Sequence, residues 1–214
     1  MHEQACQRPV NMIKVNGEGK ISIQPDVAEV TLGVATEEPS LEQAQGKNAA
    51  TMATIKHALH RIGIQDEQIQ TTNYSIYPQY DFVDGKQIFR GYRVEHMLRI
   101  TVKQIDRTGL VVDTAVNNGA NIVSGTSFNT SHYNYYYQHA LSSAIINASQ
   151  KAETIAQTLG IQLVKPPSSV TELSRQQSGP IPYQATALLK SEAATSVEPG
   201  TMEIISHVVV EFTY

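Results

Sequence analysis

From Val10 onward, Ile13 and Val15 alternate with polar neighbours, and Ile21 and Ile23 repeat the pattern. This period of two predicts one long strand, and Gly17-Glu18-Gly19 between its halves predicts a bulge or bend inside it. Gln24-Pro25-Asp26 has turn chemistry, because Pro25 presets φ and Asp26 can bond the backbone that follows. Ala28, Val30, Leu32 and Val34 then alternate with Glu29, Thr31 and Gly33, so the turn predicts an antiparallel hairpin with one buried face.

The period changes at Pro39-Ser40. Leu41, Ala44, Asn48, Met52, Ile55, Leu59 and Ile62 fall on one helical stripe, with Ser40 and Gln43 as a capping box and Gly63 as the stop. Asn48 is the polar member of that stripe. Two extended runs follow, Ile69 to Phe82 and Ile88 to Lys103, joined by the hairpin signal Asp84-Gly85. In the second run Val94, His96, Leu98, Ile100 and Val102 share one face.

A short helix from Asp106 to Asn118-Gly119, a strand from Asn121 to Thr130 and a long helix from about Tyr135 to Leu159 come next. The stripe predicted for the long helix is Leu141, Ala144, Ala148, Ala152, Ile155 and Leu159, with Gly160 as its stop. Both long helices end in an apolar residue, Gly and Ile, a faint sign of an internal repeat. Val170 to Ser174 is extended. Residues 175–200, rich in Gln, Ser, Pro, Ala and Gly, predict a mobile excursion with a short helix near Ala185 to Lys190. The run from Met202 to Phe212 has apolar residues in both registers, which predicts a central strand buried on two sides.

Strands interrupted by amphipathic helices, without regular βαβ alternation, give an α+β class: a mainly antiparallel sheet with two long helices and one shorter helix packed on one face. The final strand is expected to return to that same sheet, so residues 10–214 are read as a single domain behind a frayed terminus at 1–9.

Composition narrows the function classes. Of 214 residues 41% are hydrophobic, enough for a sizeable core, so the chain is not disordered. A formal net charge of −4 argues against nucleic acid or an anionic membrane held by bulk electrostatics. No apolar run approaches the ~18 residues of a membrane span. The one cysteine, Cys6, excludes an internal disulfide and a thiolate-only metal site. The first residues show no basic stretch followed by an apolar one, which on its own predicts a cytoplasmic location.

Catalytic and metal motifs are missing at the spacings their chemistry requires. His57 and His60 are three apart on a helix but lack the Glu of a hydrolytic zinc helix, and His96 lies on an apolar strand face, as a core or rim residue does. Gly17-x-Gly19 has no third glycine and no following helix, so it is not a dinucleotide fingerprint. These observations predict no enzyme, no metal and no cofactor. Arg90-Gly91-Tyr92 is similar to the opening of an RNA-binding strand, but Arg93 and Glu95-His96 break the remainder of that motif, so no nucleic-acid partner is expected.

Two aromatic clusters stand out, the first of which also suits strand formation with solubilising neighbours. Tyr80, Phe82, Phe89 and Tyr92 lie on the predicted hairpin, beside Lys86, Arg90 and Arg93. Tyr133, Tyr135, Tyr136 and Tyr137 crowd the entry of the long helix, and adjacent helical positions point around most of its circumference. All eight are candidate interface residues, predicting a homo-oligomer. The alternative is a small-molecule binding module with a tyrosine-lined pocket between sheet and helices.

Taken in order, Val15-x-Gly17-x-Gly19, Pro25-Asp26-x-Ala28, Gly63-Ile64, Tyr92 before the alternating strand, Asn118-Gly119-Ala120, the alanine-spaced helix stopped by Gly160, and Pro199-Gly200 before a Val-rich strand resemble the SIMPL domain family. This is the domain of unknown function 541, typified by YggE-like and 26-kDa periplasmic immunogenic proteins. The resemblance covers Val10 to Tyr214. It implies a bacterial protein of the periplasm or cell surface, with links to envelope function and oxidative stress, assembly into large rings in some members, and no established catalytic residue to carry over.

Overall fold

The computed structural model describes residues 11–173 and 197–214. The expected frayed terminus and the helix near Ala185 to Lys190 lie outside the described residues, as does all of the 175–200 excursion before residue 197. In chain order the elements are β1 (Met12–Ile23), β2 (Val27–Glu38), α1 (Leu41–Arg61), β3 (Ile69–Val83), β4 (Lys86–Val102), α2 (Thr108–Asn117), β5 (Ile122–Asn129), α3 (Tyr133–Leu159), β6 (Ser169–Glu172) and β7 (Met202–Thr213). The class is α+β. The strands form two antiparallel sheets instead of the single one expected, and they belong to two compact units.

The first unit contains β1, α3, β6 and β7. Its sheet has the order β1-β7-β6, and β1 pairs with β7 without interruption from Met12↔Thr213 to Ile23↔Met202. The bulge expected at Gly17-Glu18-Gly19 is therefore not there. The two glycines serve packing instead: a Cβ on Gly17 would lie 2.1 Å from the Ala144 carbonyl oxygen, and one on Gly19 would lie 1.9 Å from that of Ala140. Helix α3 answers with small residues, burying Ala140, Ala144, Ala148, Ala152 and Ala156 at a spacing of four. Ile155 and Leu159, placed on the buried stripe by sequence, are 38% and 61% exposed, because backbone proximity leaves room only for methyl groups. Strand β7 is central, as expected, but buries one face fully and half-covers the other.

The second unit comprises Gln24–Ser131 and Tyr183–Gly200, of which residues 24–131 and 197–200 are described. Its sheet has the order β3-β4-β2-β5, so β2 pairs with β4 and β5, and the hairpin expected between β1 and β2 does not form. Val30, Leu32, Leu98 and Ile100 meet Ile55 and Leu59 of α1 and Val111 of α2 in one core. Ser40 Oγ caps α1 by accepting from the Gln43 backbone N–H at 3.3 Å. Helices α1 and α3 stop with Gly63 at φ +90° and Gly160 at φ +67°, and Ile64 N–H and Ile161 N–H reach back to the Leu59 and Ala156 carbonyls.

Buried Asn48 is held by the core it interrupts. Its Nδ2 donates to the Val34 carbonyl at 3.0 Å and the Val94 carbonyl at 3.2 Å, tying α1 to β2 and β4.

Candidate functional site

Strand β2 ends at Glu38, opposite Tyr92 of β4. Strands β3 and β4 continue without it to Val83 and Lys86, so Gln79 to Gly91 form a two-stranded arm. Asp84 at φ +50° and Gly85 at φ +75° close its tip, a turn whose twist suits a tight hairpin. The register shifts between Gln79 and Tyr80, leaving Arg90 with no residue opposite, so Tyr80, Phe89 and Tyr92 come to one face. Their rings meet edge to face, Tyr80–Phe89 at 5.7 Å and Phe89–Tyr92 at 5.2 Å between centroids.

This aromatic face continues the core side of the sheet past the helix that covers it. Along β4 Val94 is fully buried, Tyr92 half-buried and Phe89 47% exposed, while on β3 Tyr80 is 44% and Phe82 76% exposed. Large apolar side chains left open on adjoining positions mark an interaction surface more often than isolated ones do. Val83 and Ile88 are also open and were not singled out from sequence, although their places beside Asp84-Gly85 put them at the tip.

The other face of the arm is charged and internally paired. Glu37 Oε2 accepts from Arg90 Nη2 at 2.6 Å and Glu37 Oε1 from Arg93 Nη1 at 2.9 Å, with Asp81 Oδ1 3.6 Å from Arg90 Nη1. At the base of the arm a cavity of about 340 Å³ is lined by Glu37, Glu38, Pro39, Gln79, Arg90, Gly91 and Tyr92. Its charged groups are already engaged, Glu38 with Lys47 at 2.5 Å and Glu37 with the arginines. Tyr92 is the one tyrosine in that lining, and between the second unit's sheet and its helices lie Val30, Leu32, Ile55, Leu59, Leu98 and Ile100.

The second aromatic cluster folds largely into the first unit. Tyr137 is 5% exposed and donates its hydroxyl to the Glu172 carboxylate. Tyr133 stacks on it at 5.9 Å, and Tyr136 packs against the group of Tyr137, Ala140 and Ile204. Tyr135 is open at 59%, edge-on to Tyr136 and His139. Of the eight aromatic candidates, the structure gathers Tyr80, Phe82 and Phe89 on the arm with Tyr92 at its base, and leaves Tyr135 as the open member of the other four.

Titratable groups elsewhere are scattered. His96 accepts or donates at Nε2 with Thr71 Oγ1 at 3.2 Å and lies edge-on to Tyr74; burial holds its pKa below the usual 6.5, and the charge of Lys56 adds to the effect. The Asp26 carboxylate accepts from the Ser131 hydroxyl at 2.5 Å and from the Ser131 backbone N–H at 2.7 Å, which hold its pKa below 3.8 against a smaller opposing cost of burial. His60 Nε2 lies 3.0 Å from Asp66 Oδ1. Among the described residues no three His, Cys, Asp or Glu side chains are grouped to hold a metal ion, and no helix is long and apolar enough to cross a membrane.

Comparison with known proteins identifies the family and names several relatives. The 26 kDa periplasmic immunogenic protein of Brucella melitensis is 28% identical over 175 residues, covering 79% of this chain and 68% of that protein. The uncharacterized protein YggE of Escherichia coli K12 is 26% identical over 193 residues, covering 89% of this chain and 76% of that protein. YggE of Edwardsiella ictaluri is 26% identical over 152 residues, covering 71% and 64%. Relatives named as periplasmic overturn the cytoplasmic expectation, which rested on the first few residues of the chain. The family described as "Protein of unknown function (DUF541)" matches residues 13–212, across both units, and the chain belongs to this SIMPL family.

Proposed function

We propose that this protein is a non-enzymatic component of the bacterial periplasm that self-associates through the β3–β4 arm. The observation that carries this reading is the aromatic face of Tyr80, Phe82 and Phe89, which prolongs the core side of the sheet beyond its covering helix and stays open. Tyrosine and arginine dominate interface hot spots, and the arm places one kind on each of its faces. The name of the Brucella relatives supports a periplasmic setting, and an envelope or stress role is the physiology that setting suggests.

The test is the solution mass of the full chain by light scattering across a concentration series. Association is expected in the wild type, with a lower mass for Tyr80→Ser/Phe82→Ser and an unchanged far-ultraviolet circular dichroism spectrum. A wild-type chain that stays monomeric at high micromolar concentration overturns the reading.

A further inference from the structure

The two sheets treat their edges differently. In the first unit β1 sets exposed Lys14, Glu18 and Lys20 along its length, and β6 has only 4 residues. Charge and brevity are the common devices that keep an edge strand from pairing with another chain. Strand β3, at the edge of the other sheet, has 15 residues, none of them fully buried, and Asp81 as its one charge. Between its two irregularities lies an unbroken, uncharged run, Asn73 to Gln79.

Pro78 reveals which way this run points its backbone. Proline has no N–H and is accommodated on an edge strand where that N–H would face away from the neighbouring strand. Pro78 pairs with Tyr92 of β4, so its position faces outward, and the period of two makes Tyr74 and Ile76 face outward as well. Both carry a donor and an acceptor at an edge that no described strand pairs. Between them, Ser75 Oγ is buried and has no hydrogen-bond partner among the described residues.

We propose that β3 of a second copy completes this edge, antiparallel, with Ser75 opposite Ser75 and Tyr74 of each chain opposite Ile76 of the other. This deepens the self-association reading and rests on it. In that register Tyr74 and Ile76 exchange backbone hydrogen bonds reciprocally, and the two Ser75 side chains lie opposite each other, where a turn about χ1 brings each hydroxyl within reach of the other. The missing donor of Pro78 falls opposite Thr72, where the register shift already interrupts the ladder. Asp81 falls opposite Ile69, so the pairing brings no like charges together. The two aromatic faces lie on the same side of a continuous sheet, at opposite ends of the paired edge.

Residue-resolved amide exchange on the full chain, at concentrations either side of the association midpoint, tests the pairing. On association the Tyr74 and Ile76 amides are expected to slow by about tenfold or more, while the Ser75 and Tyr77 amides, bonded to β4, are protected throughout. Ile76→Pro removes an outward donor without touching the ladder to β4, so it is expected to abolish association at concentrations where Ile76→Val still associates. An associated wild type whose Tyr74 and Ile76 amides exchange as fast as in the monomer overturns the edge pairing and leaves self-association standing. So does an Ile76→Pro chain that associates like wild type; if that variant does not fold, the exchange result alone decides. A wild type that is monomeric throughout overturns both.

Discussion

Gly17 and Gly19 set how closely α3 can approach β1. Replacing either with Ala puts a methyl group inside contact distance of helix backbone, which cannot swing away as a side chain would. The expected cost is about 1–3 kcal/mol per substitution, read as a lower denaturation midpoint in urea. Gly46 gives the contrasting case: it is exposed within α1, and a Cβ there meets nothing within 4 Å. Gly46→Ala is therefore expected to raise stability by about 0.5–1 kcal/mol through helix propensity alone. Asn48 has a different weight, since its amide satisfies carbonyls on two strands from 1% exposure. Asn48→Ala should lower stability by about 1–3 kcal/mol, and a variant that melts with the wild type would show those carbonyls to be satisfied without it.

At the scale of elements, helix stops carry much of the local definition. Gly160 holds a left-handed conformation that an Ala adopts only with strain, so Gly160→Ala is expected to cost about 1 kcal/mol, measured by thermal melting. Such stops were legible in the sequence, as were the Ser40 cap, the Asp84-Gly85 turn and the alternation of β4. Each depends on neighbours within a few positions. Partners were not legible: nothing in the turn at Pro25 reveals that β1 pairs with β7 while β2 pairs with β4. The buried face of α3 was misjudged for the same reason, because Ala140 and Ala156 outrank Ile155 only once the glycines of β1 lie beneath them. The arm was half legible. Its aromatics were visible as a cluster, but their exposure follows from where β2 ends, a fact about a different strand.

For the whole molecule, acidification should act in two steps. The folded-state pKa of His96 is depressed by burial and by Lys56, with Thr71 and Tyr74 facing it from β3, so the stability it contributes is complete above the ordinary value of 6.5 and is lost as pH falls through the folded value. Asp26, depressed by Ser131, gives a second loss that begins below 3.8. Melting temperature against pH should show both declines, and His96→Gln should remove the first. Deleting Thr201 to Tyr214 takes away the central strand of one sheet. If residues 10–214 form one cooperative domain, calorimetry of that truncated chain shows no transition, whereas a surviving peak would mean that Gln24 to Ser131 holds together alone. The route of the chain through its two sheets bears on synthesis as well. Every described strand and helix of the second unit has left the ribosome once residue 131 has, whereas β1, made before all of them, must wait for β7. Over that interval β1 is an unmated template, and whatever occupies it during synthesis must yield it to β7.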